Sequence, residues 1–213
     1  QSHSALLIQA GAGDDLVRDG DADDVVYGGE GNDVLSHNWA GNGNDIYYGD
    51  AGNDKLDAGW GTDTLVGGSG NDLYIEGNLW SGDHTTIDNG TAVENDWDVL
   101  QIGQNGYGML DYRSLWFAAD GDDLLVHQLD APASGEIRIK DWFDVANPAA
   151  RLDVIRVQQD DGQVYEANID THFDALVQAM AAFSPPTSIA EIDTSLLVNE
   201  YQTVWNLASP VAA

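Results

Sequence analysis

Two stretches of the chain, Gly28-Gly-Glu-Gly-Asn-Asp-Val-Leu-Ser36 and Gly67-Gly-Ser-Gly-Asn-Asp-Leu-Tyr-Ile75, follow one nine-residue pattern. Written in nines from Ala10, with His37-Asn38-Trp39 as an insertion, residues 10–75 form seven such units. Position six is always aspartate: Asp15, Asp24, Asp33, Asp45, Asp54, Asp63 and Asp72. Position eight is always large and apolar: Val17, Val26, Leu35, Tyr47, Leu56, Leu65 and Tyr74. A period that holds in two columns predicts a stacked repeat structure.

The glycines of the unit predict tight turns. Positions two and four are each glycine in six of the seven units, with Asp50 and Ala22 as the exceptions. Glycine adopts dihedral angles that are barred to other residues, and a bare backbone can turn its carbonyl groups toward an ion. The three residues after each aspartate predict a very short strand whose middle side chain faces inward.

Two units make one coil, so alternate turns stack about 4.8 Å apart. Each gap then holds two carboxylates and several carbonyl groups, an all-oxygen shell of the kind that Ca²⁺ prefers. Mg²⁺ fits less well because it demands stricter octahedral geometry and keeps its water. The sequence therefore predicts a mainly β chain built on a calcium-bound parallel β-roll. Five sites are expected, bracketed by Asp15 and Asp33, Asp33 and Asp54, Asp54 and Asp72, Asp24 and Asp45, and Asp45 and Asp63.

The nonapeptide resembles the calcium-binding repeat of the RTX (repeats-in-toxin, haemolysin-type) family, which forms a parallel β-helix. In that family, carbonyl groups of the first four turn positions and the sixth-position aspartate hold the ion. The resemblance implies about five or more Ca²⁺ ions in this chain. It also implies backbone ligands at Gly11, Gly13, Gly20, Ala22, Gly28, Gly29, Glu30, Gly31, Ala40, Gly41, Asn42, Gly43, Gly49, Asp50, Ala51, Gly52, Ala58, Gly59, Trp60, Gly61, Gly67, Gly68, Ser69 and Gly70.

The repeat decays on both sides of its full units. Leu7-Ile8-Gln9 looks like the strand of an earlier repeat without its aspartate, and residues 76–103 keep fragments of the pattern without the paired glycines. We expect these degenerate coils to close a roll that spans residues 1–103. Four acids are candidates for a further metal site at the closing end, and a solvated surface acid is the alternative for each. They are Asp83, Asp88, Asp96 and Asp98.

Residues 104–186 predict a β-rich cap. A hairpin is expected between 114–118 and 124–128, and a second between 151–158 and 164–167. A helix is expected over residues 171–183, with Asp170 or Thr171 as its cap. The apolar face of that helix would carry Phe173, Leu176, Val177 and Met180.

Three motifs in this block resemble the C-terminal capping region of RTX cytolysins, and most closely that of the adenylate cyclase toxin. They are Leu115-Trp-Phe-Ala-Ala-Asp-Gly-Asp-Asp-Leu124, Lys140-Asp-Trp-Phe143 and Leu176-Val-Gln-Ala-Met-Ala181. We expect Trp116, Phe117, Trp142 and Phe143 to cover the open end of the roll. Residues 187–213 form a tail, which the resemblance implies to be an uncleaved signal for type I export. A terminal amphipathic helix docked on the domain is the alternative.

The charge of the chain excludes several classes of protein. Thirty-seven acidic residues against seven Lys and Arg give a net charge of −30, which would repel nucleic acid. Such a charge also destabilises a compact state, yet 43% hydrophobic residues argue against plain disorder. A compact fold of this chain is therefore expected to need a bound cation. The absence of cysteine removes disulfides, thiolate zinc sites and cysteine nucleophiles.

Two other interpretations of the repeat region are weaker. A Gly/Asn/Asp-rich tract is often a flexible linker, but linkers lack an apolar residue every nine positions. Asp19, Asp21, Asp23 and Glu30 have the spacing of EF-hand ligands. However, Asp24 stands where that loop needs glycine, and neither flank predicts a helix.

Catalytic motifs are missing from the sequence. The five histidines form no HExxH pair, the chain has no GxSxG, and no Gly-Lys-Ser/Thr is present to bind phosphate. Paired acids such as Asp122 and Asp123 fall in a predicted turn, where a solvated surface is the better explanation. The sequence predicts that this chain is not an enzyme.

Two functions remain open at this point. In the first, the chain is a calcium-binding module that is unfolded without calcium and folds outside the cell, supporting type I secretion of a larger toxin, adhesin or enzyme. In the second, it is a ligand- or cell-surface-binding domain of an adhesin, with the repeats as a stalk and Trp60, Trp80 and Trp97 as contacts to cells or glycans. The resemblance implies a secreted protein, extracellular or on the surface of a Gram-negative bacterium, whose partners are calcium ions and the secretion machinery.

Overall fold

The computed structural model describes residues 4–37, 42–57, 59–77, 79, 83–90, 96–103, 111–129, 135–159, 162–181 and 204–207. Within them lie sixteen β-strands, one α-helix and two 3₁₀ turns, Tyr112–Ser114 and Pro148–Ala150. The helix is α1 (Thr171–Ala181). The strands are β1 (Leu7–Ala12), β2 (Leu16–Arg18), β3 (Val25–Glu30), β4 (Val34–Ser36), β5 (Ile46–Ala51), β6 (Lys55–Asp57), β7 (Thr62–Ser69), β8 (Leu73–Glu76), β9 (His84–Ile87), β10 (Val99–Ile102), β11 (Leu115–Asp120), β12 (Asp123–Gln128), β13 (Glu136–Ile139), β14 (Val154–Gln158), β15 (Val164–Asn168) and β16 (Trp205–Leu207).

The repeats form two parallel sheets, as the sequence predicts for a β-roll. One sheet has the order β1-β3-β5-β7-β9, and the other has the order β2-β4-β6-β8-β10. Each strand pairs with the strand two units further along, because two nonapeptides are needed to complete one coil. The expected strand at Leu7-Ile8-Gln9 is confirmed, since β1 pairs in parallel with β3.

Position eight of the repeat forms the core of the roll. Its side chains stack in register, as where Val26 lies beside Tyr47 and Tyr47 beside Leu65. Val17 is only half-buried because β2 is an edge strand. Each fully buried apolar side chain contributes about 1.5–3 kcal/mol through the hydrophobic effect. Six of the seven are at most 1% exposed: Val26, Leu35, Tyr47, Leu56, Leu65 and Tyr74.

The turns need glycine because adjacent coils approach each other there. Gly52 has a φ of 137°, and a Cβ atom on it would lie 1.8 Å from the carbonyl oxygen of Gly31 in the preceding coil. Asp50, an exception to the glycine pattern, adopts a φ of 72°. Aspartate tolerates this left-handed region better than most residues do. The turn at residues 49–53 therefore keeps its left-handed residue.

The cap extends both sheets of the roll. Strand β13 pairs in parallel with β9, and β14 pairs in parallel with β10. The sheets then continue with antiparallel strands, β12 and β11 on one side and β15 and β16 on the other. One hydrophobic cluster consequently runs from Val26 in the roll to Trp205. The expected boundary at residues 103 and 104 falls at the edge of a segment outside the described residues.

The predicted elements of the cap are present. Both expected hairpins form, as β11 with β12 and as β14 with β15. The carboxylate of Asp170 caps α1 by accepting the backbone N–H groups of His172 at 2.7 Å and Phe173 at 3.1 Å. All four residues of the predicted apolar face are buried, and Phe173 packs edge-on against Phe117. Residues 182–183 of the predicted helix lie outside the described part of the chain.

Aromatic side chains join the cap to the core. Trp116, Phe117 and Trp142 are at most 2% exposed and belong to the continuous cluster, against which the half-buried Phe143 packs. The guanidinium of Arg151 lies over the ring of Trp142, 4.9 Å from its centroid. In the described residues, no helix has both the length and the apolar character needed to cross a membrane.

The described part of the tail is a strand. Residues Trp205–Leu207 pair with β15 in antiparallel register, and Val204 and Trp205 are buried. The alternative of a docked amphipathic helix is therefore wrong for these residues. The reason is that β15 offers the open edge of a sheet, whose unpaired backbone groups accept a further strand. The rest of residues 187–213 lies outside the described chain.

Replacing Gly52 with alanine tests the requirement for glycine in the turns. We expect Gly52→Ala to lower the free energy of unfolding by about 3 kcal/mol, because it adds backbone strain and a clash with Gly31. Gly121→Ala is the matched control, since Gly121 also has a positive φ but open space around it, and should cost about 1 kcal/mol. Urea unfolding in calcium measures both variants. Equal losses would contradict the close approach of the coils.

Candidate calcium sites

The sixth-position aspartates form a continuous ladder along one side of the roll. The backbone N–H of Asp15 donates to Oδ1 of Asp33 at 2.8 Å, and that of Asp33 donates to Oδ1 of Asp54 at 2.7 Å. The same bond joins Asp54 to Asp72 at 2.9 Å. Each carboxylate therefore satisfies a backbone donor of the preceding coil with one oxygen only.

A second ladder runs along the opposite side. The N–H of Asp24 donates to Oδ1 of Asp45, and that of Asp45 to Oδ1 of Asp63, both at 2.8 Å. The chain reaches this ladder from its first described residues, because the N–H of Leu6 donates to Oδ1 of Asp24 at 2.7 Å. All five expected pairs of aspartates are thus adjacent in the structure.

Most of the second carboxylate oxygens in the described ladders are buried without a hydrogen-bond partner. Within the described residues, Oδ2 has no partner in five of the seven predicted ligands. A buried carboxylate oxygen that accepts nothing costs free energy unless a cation or a proton meets it. These five are Asp15, Asp33, Asp54, Asp63 and Asp72.

Backbone oxygens converge on the same places. A Cβ atom placed on Gly28 would lie 2.3 Å from Oδ2 of Asp33 and 2.8 Å from the carbonyl oxygen of Gly49 in the next coil. The corresponding distances at Gly49 are 2.4 Å to Oδ2 of Asp54 and 2.6 Å to the carbonyl oxygen of Gly67. A mixed shell of carboxylate and carbonyl oxygens suits a hard cation such as Ca²⁺.

A comparison with protein families identifies the repeats. The family model described as the RTX calcium-binding nonapeptide repeat (4 copies) matches residues 7–35 and 39–74. The matched residues are repeats of the RTX type. The repeats accordingly bind Ca²⁺, and their parallel sheets are the RTX β-roll. A search of curated proteins finds no match to the chain. The family match ends before the cap, whose likeness to the adenylate cyclase toxin stays a prediction.

The predicted carbonyl ligands of the RTX turns fall into three groups. Oxygens that face the turn of a neighbouring coil are those of Gly11, Gly13, Ala22, Gly31, Gly43, Gly49, Asp50, Gly52 and Gly67. Oxygens that already accept a backbone N–H are those of Glu30, Ala51, Gly61 and Ser69. The remaining carbonyls stay predictions, and among them Ala40, Gly41 and Ala58 lie outside the described residues.

Burial makes the charged form of the ladder carboxylates costly. Burial, together with repulsion from neighbouring carboxylates, raises the pKa of Asp45, Asp63 and Asp72 to about 7 each. The pKa of Asp54 rises to about 6 for the same reasons. The backbone N–H donors of the ladder act in the opposite direction but do not outweigh burial. A divalent cation in the gap would remove this cost by neutralising the carboxylates.

Position five supports the RTX stack on its outer surface. The N–H of Asn32 donates to Oδ1 of Asp14 at 2.8 Å, and that of Asn53 donates to Oδ1 of Asn32 at 2.9 Å. The bonds continue from Asn71 to Asn53 and from Trp97 to Asn71. Sequence reasoning missed this ladder, although an asparagine recurs at position five in four of the seven units.

The first ladder continues beyond the full repeats. The N–H of Asp72 donates to Oδ1 of Asp98, and that of Asp98 donates to Oδ2 of Asp153, both at 2.8 Å. Asp98 is thus the one end-site candidate that the structure brings into the ladder. Asp153 was missed, but Asp153-Val-Ile-Arg156 repeats the pattern of Asp98-Val-Leu-Gln101 and could have been found from it.

Asn89 donates a hydrogen bond to the second carboxylate oxygen of Asp98. Its amide nitrogen donates to Oδ2 of Asp98 at 2.9 Å and to the carbonyl oxygen of Ala149 at 3.2 Å. Its amide oxygen accepts the hydroxyl of Tyr74 at 2.7 Å. Asn89 is fully buried. At the join between roll and cap, a neutral amide therefore provides a donor of the kind that the five unpartnered Oδ2 atoms lack in the described residues.

The other three end-site candidates have protein partners of their own. Asp88 forms an ion pair with Lys140 at 2.5 Å. Oδ2 of Asp96 accepts the backbone N–H of Gly70 at 2.9 Å, and Asp83 makes the equivalent contact with Gly61. Asp83 and Asp96 thus lie beside position four of the preceding coil, and neither is a member of an aspartate ladder.

The raised pKa values predict that, without calcium, the folded state is more stable in acid than at neutral pH. Between about pH 4, where unfolded carboxyls titrate, and the folded pKa of about 7 for Asp45, Asp63 and Asp72, the folded chain binds more protons. Its stability without calcium is therefore fully present below that window and is lost as the pH rises through it. Protein stripped of calcium on a chelating resin should fold with a midpoint near pH 6–7 by circular dichroism. A midpoint near pH 4, typical of solvated carboxylates, would contradict this.

Proposed function

We propose that this chain is a calcium-responsive folding module, open without calcium and folded when Ca²⁺ fills the gaps between its coils. The observation that carries the proposal is the set of buried, unpartnered Oδ2 atoms along the two aspartate ladders. Residues 1–75 contain fourteen acids, and their two basic residues, Arg18 and Lys55, are both exposed. The roll therefore depends on a cation from solution.

The cap offers a contrast that supports the proposal. It contains the other five basic residues of the chain, and each forms an ion pair with a nearby acid. Arg138 contacts both Asp120 and Asp123, and Arg151 contacts Asp174 at 2.5 Å. The remaining pairs join Arg113 to Asp111, Lys140 to Asp88, and Arg156 to Glu166. Four of these pairs lie within the cap, and the pair of Lys140 with Asp88 joins the cap to the roll. Protein groups thus balance part of the charge of the cap, so the requirement for calcium is concentrated in the roll.

The expected binding energy is large enough to control folding. At millimolar Ca²⁺ and a dissociation constant of about 10⁻⁴ M, each filled site contributes about 1.4 kcal/mol. Five sites would contribute about 7 kcal/mol, which is comparable to the whole stability of a typical domain. At a calcium concentration well below the dissociation constant the sites would be empty, and the repulsion between carboxylates would remain.

A calcium-dependent fold suits export through a type I system. Scarce calcium inside the bacterium would keep the chain open, and abundant calcium outside would fold it. The buried position of Val204 and Trp205 supports this order, because a signal in the tail would be accessible only before folding. On this proposal the module belongs to a larger secreted toxin, adhesin or enzyme of a Gram-negative bacterium, outside the cell or on its surface, and carries no catalytic site.

The alternative of a surface-binding domain has less support. Trp60 and Trp97 are 43% and 53% exposed, which would suit contacts to a cell or glycan surface. However, the N–H of Trp97 donates to Asn71, beside Asp72 of the first ladder, whereas Trp60 lies in the turn before Asp63 of the second ladder. The two side chains therefore do not form one patch. Trp80 lies outside the described residues.

Circular dichroism with and without calcium tests the proposal. The chain in EGTA at pH 8 should lack a β spectrum, and millimolar Ca²⁺ should restore it. Asp33→Asn removes a charge that faces two gaps, so the calcium midpoint should rise several-fold. Asp14→Asn is the matched control, because Asp14 holds the exposed position five, where asparagine is common. It should leave the midpoint nearly unchanged. A folded β spectrum in EGTA at pH 8 would refute the proposal.

A further inference from the structure

We propose that Asp19 supplies a third carboxylate to the calcium site between Asp24 and Asp45, an inference that rests on the calcium sites proposed above. Asp19 holds position one of its repeat, where the other six units have glycine or alanine and so offer no side-chain ligand. The site would therefore differ in charge from the others in the roll.

The three carboxylates lie close together and away from water. Asp19 is 7% exposed, Asp24 is 1% exposed and Asp45 is 2% exposed. One carboxylate oxygen from each lies within 4.8 Å of those from the other two. Oxygens that share one Ca²⁺ at about 2.3–2.6 Å can be at most about 5 Å apart. The spacing is therefore compatible with a single ion held by all three residues.

The turn that contains Asp19 differs from the other turns. Gly20 stays outside the left-handed region, and Ala22 replaces the glycine of position four. The N–H of Gly20 donates to Oδ2 of Asp24 at 3.0 Å, so this turn folds onto its own aspartate. In the other described units, by contrast, the residue at position two is left-handed: Gly11, Gly29, Asp50, Gly59 and Gly68.

A backbone oxygen also faces this gap. The carbonyl oxygen of Ala22 lies 2.4 Å from the place where a Cβ atom on Gly43 would stand, and Oδ1 of Asp45 lies 2.7 Å from it. The convergence of carbonyl and carboxylate oxygens seen at Gly28 and Gly49 is thus repeated here, with Asp19 added.

Tyr47 fixes the orientation of Asp19. This fully buried position-eight side chain comes from the next coil on the same side, and its hydroxyl donates to Oδ2 of Asp19. The carboxylate is held from outside its own turn, so its position does not depend on that turn alone. A preorganised ligand loses less conformational entropy when it binds an ion.

Two independent observations indicate that a cation belongs on this side of the roll. The next aspartate of the ladder, Asp63, is 1% exposed, and its Oδ2 has no hydrogen-bond partner within the described residues. The match to the calcium-binding repeat covers Asp19, Asp24 and Asp45. Calcium affinity rises with the number of charged ligands. The site with Asp19 is therefore expected to bind about tenfold more tightly than the other sites and to fill first.

Calcium titration of the full chain against a fluorescent chelator tests the assignment. The unmodified chain should show one tight site above a weaker class. Asp19→Asn keeps an acceptor for Tyr47 but removes the charge, and it should abolish the tight site. Asp23→Asn is the matched control in the same turn, since Asp23 is exposed at position five and its Oδ1 accepts the N–H of Asn44. It should keep the tight site.

Tyr47→Phe separates a ligand from a purely structural residue. If Asp19 is a calcium ligand, removal of the hydroxyl leaves its carboxylate in the gap, and the tight site should survive. If Asp19 served only to accept the tyrosine hydroxyl, Asp19→Asn would bind calcium as tightly as Asp23→Asn, and the inference would be overturned. If the unmodified protein bound no calcium, the proposed function itself would be refuted. Failure of the proposed function can therefore be told apart from failure of the assignment of Asp19.

Discussion

Folding of the roll removes two rows of carboxylates from water. Each sixth-position aspartate lies next to a position-eight apolar side chain, so the coils that build the core also bury the charges. A hydrogen bond from the preceding coil satisfies one oxygen of Asp33 or Asp54 and leaves the other without a protein partner in the described residues. Hydrophobic burial and carboxylate desolvation therefore oppose each other in every coil, and a divalent cation is what reconciles them.

Where the roll joins the cap, protein groups rather than an ion compensate buried carboxylates. At Asp98 the ladder meets the amide of Asn89, which donates to the second carboxylate oxygen of Asp98. Further along, Arg138 and Arg151 pair with acids of the cap. The two sheets pass through this join without interruption. The calcium-binding repeats and a cap whose basic residues all pair with acids thus share one core.

Much of the roll could be predicted from the sequence because its contacts repeat with the sequence period. The in-register stacking of Val26, Tyr47 and Leu65 follows from position eight alone, and so does the adjacency of Asp33 and Asp54. Features that depend on contacts outside the nine-residue period could not be predicted from the sequence. The parallel pairing of β14 with β10 brings Asp153 to the ladder from 55 residues beyond Asp98. Asn89, just after β9, reaches Asp98 from nine residues before it. The position of Asp19 depends on an atypical turn and on Tyr47 from the next coil.

Diffraction from crystals grown with calcium, with anomalous scattering to mark the ions, would show whether metal fills the gaps between the coils. We expect an ion about 2.3–2.6 Å from Oδ2 of each of Asp33, Asp54 and Asp63, with carbonyl oxygens of the adjacent turns completing its shell. Each ion would lie between two coils. Ordered water at these oxygens in place of an ion, or carboxylates turned away from the gaps, would contradict the account.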